Sequence, residues 1–328
     1  MSHRRLLVVA LGSLGLLGQA PLRGQTPGPG LRRVGVLAPG THAKEEITLK
    51  PFFDQMRQLG WVEGRTVAYD RAYAGDRHQE LPRLASELVA RKPEVIYAPP
   101  TPAALAAKEA TRTIPIVFGA VGDPVRLGLV NDLAHPAGNV TGISNLSASL
   151  FPKRVELLRG ILPSARRLGV LRDPTDSASK SVLSEFAPVA ASLGLSIIVA
   201  EAANPADFDA AVANLIAQRA DVIFGGTILA TNLRGRLIEL ASQKHVPVIG
   251  SNAIMADAGA LFAYGTVLAD LLRRSALLVD KILKGANPAD IAVEQPTLFE
   301  LVVNLKVAKA LGIAIPQSFL LRADRVIE

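Results

Sequence analysis

Short apolar runs alternate with helix-like periodicity from Arg32 onward, a pattern typical of parallel β-α units. Phe52, Met56 and Leu59 recur at helical spacing, so this stretch predicts a helix with one buried face. Helices are predicted to begin near Glu45, Gln79, Thr101 and Pro124. The apolar runs between them predict five strands, at 33–38, 66–73, 94–98, 115–119 and 139–143.

The second half of the chain repeats this pattern. Five more strands are predicted at 167–172, 195–200, 221–225, 246–250 and 260–264, with helices at 177–193, 205–219 and 231–244. Five strands followed by five more indicate an α/β protein with two doubly wound parallel-sheet lobes of similar build.

The C-terminal part breaks the repeat. Leu268, Leu271, Leu278 and Ile282 line one side of a long predicted helix, which we expect to cross back and cover the first lobe. The segment FELVVNL at 299–305 and a short predicted helix at 306–311 follow. We expect lobe 1 to comprise 31–145 plus about 266–295. Lobe 2 is expected to comprise 146–265 plus part of 296–328, with several crossings forming a hinge.

The N-terminus has the pattern of a secretory signal peptide. Arg4 and Arg5 precede an apolar run at 6–17, and the small residues Gly18 and Ala20 follow. We predict a cleaved signal at 1–25; the alternative is an uncleaved membrane anchor, although the run is shorter than the roughly 20 residues that span a bilayer.

Charge and cysteine content narrow the possible functions. Removing Arg23 with Arg4 and Arg5 lowers the formal charge from +7 to +4, and the remaining basic residues are scattered, so we expect no nucleic-acid partner. The chain has no cysteine, which excludes disulfides, cysteine metal ligands and a lipidated N-terminal cysteine. These features predict a soluble periplasmic protein that is not lipid-anchored.

Polar residues follow most of the predicted strands, where parallel α/β sheets bind their ligands. Hydroxyl, amide and backbone N–H groups dominate there, and this combination favours a small polar ligand held by hydrogen bonds. The candidates are Gly40, Thr41, Thr101, Pro102, Asp123, Ser144, Asn145, Asp173, Thr227, Ser251, Asn252 and Tyr264, with Ser177 in the polar loop that follows Asp173.

Several of these residues have a structural alternative. Thr101 before Pro102, and Asp123 before Pro124, fit the N-terminal cap of a helix equally well. Asp173 could also cap a helix or form a turn.

Motifs for catalysis are missing. No G-x-G-x-x-G follows the first strand, and neither G-x-x-x-x-G-K-[ST] nor G-x-S-x-G occurs. No two of the five histidines are three or four residues apart, so no helical histidine pair can bind a metal. We therefore predict no catalytic residue, no metal and no cofactor.

Four segments resemble the ABC transporter substrate-binding protein family, whose relatives include tryptophan-binding lipoproteins. The segments are GWVEGRTV at 60–67, PEVIYAPPTPAALAAKEATRTIPIVFGAVGDPV at 93–125, PAGNVTGISN at 136–145 and PTLFELVVNLKVAKALGIAIPQSFLLRADRVIE at 296–328. The resemblance implies a type I periplasmic-binding-protein fold, a ligand cleft between two lobes and delivery to the membrane subunits of an ABC permease.

The resemblance also adds to the candidate site. Thr101 and Ala103 match the family's "TGTPA"-like loop, in which Pro100 replaces a glycine, and Asp123-Pro124 matches a "DP" loop. Thr141-Gly142 and Tyr264-Gly265 match two further motifs.

One departure concerns the ligand. Tryptophan-binding relatives have a "TDN"-like loop where this chain has Gly226-Thr227-Ile228, without a carboxylate. An α-ammonium group needs an acceptor, so either Asp173 replaces the missing carboxylate or the ligand is not an amino acid.

We therefore expect a monomeric periplasmic binding protein for a small polar ligand, such as an amino acid or an aromatic acid. The alternatives are a sensory or interaction module of a receptor system, and an exported α/β enzyme.

Overall fold

The structure is a computed structural model that describes residues 30–147, 149–174 and 177–328, with the backbone alone at 177–182 and 185. A first sheet has five parallel strands in the order β2-β1-β3-β4-β5. Its strands are β1 (Arg32–Ala38), β2 (Val67–Tyr73), β3 (Val95–Tyr97), β4 (Ile116–Val121) and β5 (Val140–Ser144).

A second sheet has seven strands in the order β12-β11-β10-β9-β8-β6-β7. All neighbours in it are parallel except β10 and β11, which pair antiparallel. Its strands are β6 (Arg167–Arg172), β7 (Ser196–Glu201), β8 (Val222–Phe224), β9 (Val248–Gly250), β10 (Phe262–Thr266), β11 (Phe299–Asn304) and β12 (Arg325–Ile327).

The order β7-β6-β8-β9-β10 repeats the order β2-β1-β3-β4-β5, so both sheets are doubly wound and the predicted α/β fold class is confirmed. All ten strands predicted for the two sheets form, with ends within two residues of the predicted ones. The segment at 299–305, which was not assigned to an element, forms β11, and β12 was not predicted.

Thirteen α-helices surround the sheets in the described part of the chain. They are α1 (His42–Thr48), α2 (Lys50–Gln58), α3 (Leu81–Ala90), α4 (Thr101–Ala110), α5 (Phe151–Ile161), α6 (Ser177–Ser192), α7 (Pro205–Ala217), α8 (Ile228–Asn232), α9 (Arg234–Ser242), α10 (Ala253–Ala258), α11 (Leu268–Leu283), α12 (Leu305–Ala310) and α13 (Gln317–Leu320). None of the described helices is long and apolar enough to cross a membrane.

The helix predicted to begin near Pro124 was wrong, because the chain forms successive turns between β4 and β5. Gly128 has a φ of 67°, in the left-handed region that ends a helix.

Helix α5 was not predicted. It belongs to the core of the second sheet, where Phe151 stacks on Phe186 at a centroid distance of 3.7 Å.

Both sheets are buried on both faces. In β1, Val34 and Val36 belong to one apolar cluster and Leu37 to the cluster on the opposite face. In β6, Leu168 and Leu171 likewise belong to apolar clusters on opposite faces of the sheet. Burial on both faces explains why these strands appear in the sequence as unbroken apolar runs.

The long helix α11 follows β10 of the second sheet but packs against α2 and β4 beside the first sheet. The Ser275 hydroxyl lies 2.9 Å from that of Tyr97, and Trp61 Nε1 donates to Asp280 over 2.8 Å. After α11, residue Glu294 pairs with β5 before the chain enters β11. Within the described residues, the chain therefore passes between the sheets three times.

Candidate functional site

A cavity of about 140 Å³ opens where the carboxyl ends of strands from both sheets meet. Pro39, Pro99 and Asn145 follow strands of the first sheet, and Gly226 and Ser251 follow strands of the second. This edge of a parallel sheet is where α/β folds place ligands. The volume is sufficient for on the order of ten water molecules, comparable to a small organic molecule.

Most of the cavity wall is apolar, and its larger side chains are aliphatic. Leu268 and Leu272 come from α11, and Ile228 and Ile254 come from helices beside the second sheet. The remaining apolar lining residues are Pro39, Leu49, Pro99, Pro100 and Ala120.

Glu45 in α1 is a buried carboxylate in this wall. The backbone N–H of Gly40, directly after β1, donates to Glu45 Oε1 over 2.7 Å. Burial raises the pKa of Glu45 to about 7, helped by the nearby Asp76 and opposed by the Gly40 N–H and Lys44. The carboxyl group is thus close to its protonation midpoint at neutral pH.

Glu45→Gln is expected to raise the free energy of unfolding of the ligand-free protein at pH 8, by an amount on the order of 2 kcal/mol. A folded-state pKa above the unfolded value means that ionisation is unfavourable in the folded protein. The wild type should therefore lose stability as pH rises from about 4.5 to about 7, and the variant should lack that part of the decline. Urea unfolding at several pH values measures this; equal pH profiles for both proteins would contradict the buried position of Glu45.

Arg234 supplies the positive charge in the cavity wall. It is the first residue of α9, and its Nη1 donates to the Thr231 carbonyl over 3.1 Å. In the part of the chain that the structure describes, no carboxylate lies within 4.0 Å of Arg234 and no basic group lies within 4.0 Å of Glu45. Neither group therefore forms an ion pair with another described residue.

Two asparagines of the cavity wall also have unused hydrogen-bonding capacity. Asn232 Nδ2 and Asn252 Oδ1 are buried and have no hydrogen-bond partner among the described residues. Both residues line the cavity. Buried amide groups are nearly always hydrogen-bonded, so these two atoms indicate where a ligand donates and accepts.

Arg154 in α5 holds two cavity loops together from behind. Its side chain is buried, and it donates to the carbonyl oxygens of Ser147 over 2.8 Å, Tyr264 over 2.8 Å and Ser251 over 3.5 Å. Its guanidinium also lies 5.7 Å from the ring centroid of Phe224. Burial lowers the pKa of Arg154 to about 10, so it stays charged at neutral pH. Because Ser147 and Ser251 line the cavity, Arg154 is a positioning residue.

A buried histidine and a buried aspartate connect the elements of the two sheets. His78 begins a 3-10 turn after β2, and its Nδ1 lies 2.7 Å from Oδ2 of Asp173, which follows β6. Both residues are at most 5% exposed. This contact joins segments that are far apart in sequence.

Three residues predicted for the site line the cavity: Asn145, Ser251 and Asn252. Asn145 also supports the loops, because its Nδ2 donates to Ala120 O over 3.1 Å and its Oδ1 accepts from the Ser147 N–H.

Three others lie next to lining residues. Gly40 donates to Glu45, Thr41 precedes the first residue of α1, and the Thr227 hydroxyl oxygen accepts from the N–H of Ala230 at the start of α8.

The remaining predicted residues are not among the lining residues. Thr101, Pro102 and Ala103 form the first turn of α4, which has Pro100 as its cap, so the alternative that Thr101 caps this helix was wrong. Asp123 accepts a hydrogen bond from the Arg126 N–H, and Ser144 Oγ donates to the Gly122 carbonyl. The Tyr264 carbonyl accepts from Arg154. Asp173 contacts His78. The side chain of Ser177 lies outside the described residues.

Glu45, Asn232 and Arg234 were missed by the sequence analysis. A glutamate in the first turn of a helix is favoured by the helix dipole alone, so its position after a strand-end loop was not distinctive. Asn232 and Arg234 fall inside the helix predicted at 231–244, whereas the structure breaks it at Leu233 into α8 and α9. That break places Arg234 at a helix start beside the cavity.

The chain is similar to a curated protein and to solved structures. It is 27% identical over 281 residues to the tyrosine-binding protein of Clostridioides difficile (strain R20291), covering 85% of this chain and 81% of that protein. A solved ABC domain in complex with L-Trp from Streptococcus pneumonia matches with 27% identity and a TM-score of 0.80, covering 90% of this chain and 100% of that one. The ligand-free, open structure of a substrate binding protein with adhesive properties from Clostridium difficile matches with 26% identity and a TM-score of 0.60, covering 90% and 99%.

The sequence model of one family, described as ABC transporter substrate binding protein, matches residues 33–327, nearly all of the part described by the structure. Members of this family are substrate-binding proteins, which agrees with a cavity at the strand ends of two doubly wound sheets. The chain belongs to the ABC transporter substrate binding protein family.

Proposed function

We propose that this chain is an exported receptor that binds a small amino acid or aromatic acid in the cavity and delivers it to the membrane subunits of an ABC permease. The observation that carries the proposal is the cavity wall, where, among the described residues, Glu45 and Arg234 form no ion pair and two buried amide atoms have no hydrogen-bond partner. A polar ligand would satisfy all of these groups, since unpaired buried polar groups are unfavourable. The relatives that bind tyrosine and L-Trp support this ligand class.

The proposed mechanism is closure of two lobes on the ligand. We propose that lobe 1 comprises 31–145 with about 266–295, and that lobe 2 comprises 146–265 with part of 296–328. The three crossings between the sheets would form the hinge, and a ligand that contacts both walls would favour the closed state. The higher TM-score to the L-Trp complex than to the open, ligand-free relative supports a closed arrangement here.

We further propose that the leader at 1–25 directs export to a periplasm, that the mature protein is monomeric and that no reaction of the ligand takes place. Cell fractionation and the mass of the mature N-terminus test the export step. A protein retained in the cytoplasm with residues 1–25 intact would contradict it.

The decisive test of the function is the identity of the bound solute. The full chain is expressed, the exported form is purified without denaturation, and the solute released by denaturation is identified by mass spectrometry. Thermal unfolding is then measured with amino acids and aromatic acids, because a ligand at 100 times its Kd stabilises the protein by about 2.7 kcal/mol. Absence of both a released solute and any stabilisation would contradict the proposed function.

The contact between His78 and Asp173 is expected to favour the closed state, because separation of the two sheets would break it. Asp173→Asn and His78→Gln should each weaken ligand binding. The double variant should bind the ligand with the same affinity as the single variant that binds it less tightly. The expected coupling energy is about 1 kcal/mol. Titration calorimetry on all four proteins measures this, and strictly additive losses would show that the two residues act separately.

A further inference from the structure

The two charged residues that line the cavity belong to elements packed on different sheets. Glu45 belongs to α1, directly after β1 of the first sheet. Arg234 begins α9, which lies between β8 and β9 in the chain and belongs to the second sheet. They are the acidic and the basic side chain among the residues that line the cavity. A ligand enclosed between the sheets therefore meets a carboxylate on one wall and a guanidinium on the other.

The charge pattern discriminates between the ligand classes that the proposed function leaves open. A simple carboxylic acid would pair with Arg234 but would place its own carboxylate close to Glu45. Two desolvated carboxylates repel each other, so this arrangement is unfavourable while both are ionised. An amine would satisfy Glu45 alone. A zwitterion satisfies both charges, and burial of a charge is tolerated when it is paired.

The rest of the wall matches the body of such a ligand. The aliphatic side chains of Leu49, Ile228, Ile254, Leu268 and Leu272 line the same cavity. Asn232 Nδ2, two residues before Arg234, is a buried donor without a described partner and suits a carboxylate oxygen.

We infer that the ligand is an α-amino acid with an apolar side chain, whose ammonium group binds Glu45 on the first sheet and whose carboxylate binds Arg234 and Asn232 on the second. This inference rests on the proposed function and specifies its substrate class. It assigns the ammonium acceptor to Glu45, and Asp173 to the contact with His78 that closes the cleft. Because each end of the amino acid binds a different wall, only the zwitterion bridges both sheets.

The inference predicts opposite pH dependences for amino acids and simple acids. The titratable groups near Glu45 are Lys44 and Asp76 and the hydroxyls of Tyr73 and Tyr97, and Arg234 lines the same cavity. An ammonium ligand stabilises ionised Glu45, so its binding should strengthen from about pH 6 to about pH 8. A carboxylate without an amine favours protonated Glu45, so its binding should weaken over the same range.

Matched probes and variants test this assignment. Titration calorimetry compares L-phenylalanine with 3-phenylpropanoate, which lacks the amine, and L-leucine with 4-methylpentanoate; the solute released from the native protein is tested in the same way. We expect Glu45→Gln and Arg234→Gln each to weaken amino-acid binding by about tenfold or more, since both remove a charge-assisted hydrogen bond. Glu45→Gln should also abolish the pH dependence.

Two neighbouring substitutions serve as controls. Glu46→Gln changes the next carboxylate of α1, which accepts from Arg71 and Tyr73 outside the cavity wall. Arg236→Gln changes an exposed arginine of α9 that pairs with Asp209 and Glu239. Both controls should bind the amino acid with unchanged affinity.

Each result decides a different point. A released or bound solute with both an amine and a carboxylate, sensitive to Glu45→Gln and Arg234→Gln, supports the inference. A solute without an amine, or amino-acid binding indifferent to Glu45→Gln, overturns the inference and leaves the proposed function standing. No solute and no binding of any probe overturns both.

Discussion

Arg154→Met is expected to lower the free energy of unfolding by about 3 kcal/mol, because three partly buried carbonyl oxygens lose the same buried donor together. The carbonyls belong to Ser147, Tyr264 and Ser251, which lie in three separate loops or strands. Methionine fills much of the arginine's volume, so the loss reflects the hydrogen bonds more than a cavity. For a protein of this size the melting temperature should fall by about 5–10 °C.

The matched control is Arg166→Met. Arg166 also donates to backbone carbonyls, those of Pro163 and Ala165, but its side chain is exposed. Water replaces those bonds, so stability should change by less than about 0.5 kcal/mol. Urea unfolding of both variants measures the difference; equal effects would show that the burial of Arg154 is unimportant.

Arg154→Met should also weaken ligand binding, although Arg154 is not among the residues that line the cavity. Ser147 and Ser251 both line it, and the variant releases both loops from a common donor. Titration calorimetry of the folded variant at low temperature separates this effect from instability. Wild-type affinity would show that the two loops hold their positions without Arg154.

The architecture was predictable because the sequence of a core strand is enough to recognise it. Each sheet is covered on both faces, so β1 and β6 appear as continuous apolar runs bounded by polar segments. The strand β12 escaped prediction because its three residues are only partly buried or exposed at an edge of the sheet. Short edge strands carry little apolar pattern.

The candidate site was predictable only as a location. The strand-end residues Asn145, Ser251 and Asn252 line one cavity, since the carboxyl ends of parallel strands share an edge. The charged residues of the cavity wall could be identified only from tertiary contacts. Glu45 differs from Glu46 because it is buried and because it accepts a hydrogen bond from the Gly40 N–H. Two adjacent glutamates in a sequence show neither difference.

The position of Asp173 illustrates the same limit. Its place after β6 predicted a side chain near a ligand, but His78, which follows β2, lies 2.7 Å from its carboxylate. The strands β3 to β6 lie between the two residues in the sequence, and no local pattern relates them. A contact of this kind follows from how the two sheets pack, which strand-by-strand reasoning does not determine.

Gly265→Ala is expected to destabilise the protein by about 3 kcal/mol, and Gly235→Ala to stabilise it slightly. In β10, a Cβ atom on Gly265 would lie 1.8 Å from the carbonyl oxygen of Ser251, so the backbone must move. Gly235 lies in α9 with nothing within 4 Å of the added carbon, and alanine there favours the helix by up to about 1 kcal/mol.

The same clash involves the site, because the carbonyl of Ser251 also accepts from Arg154 and Ser251 lines the cavity. Gly265→Ala should therefore weaken ligand binding as well as stability, whereas Gly235→Ala should leave the affinity unchanged. Thermal unfolding and calorimetric titration of the two variants measure both effects. A Gly265→Ala protein with wild-type stability and affinity would show that β10 and the Ser251 loop are not in close contact, and would contradict this geometry of the cavity.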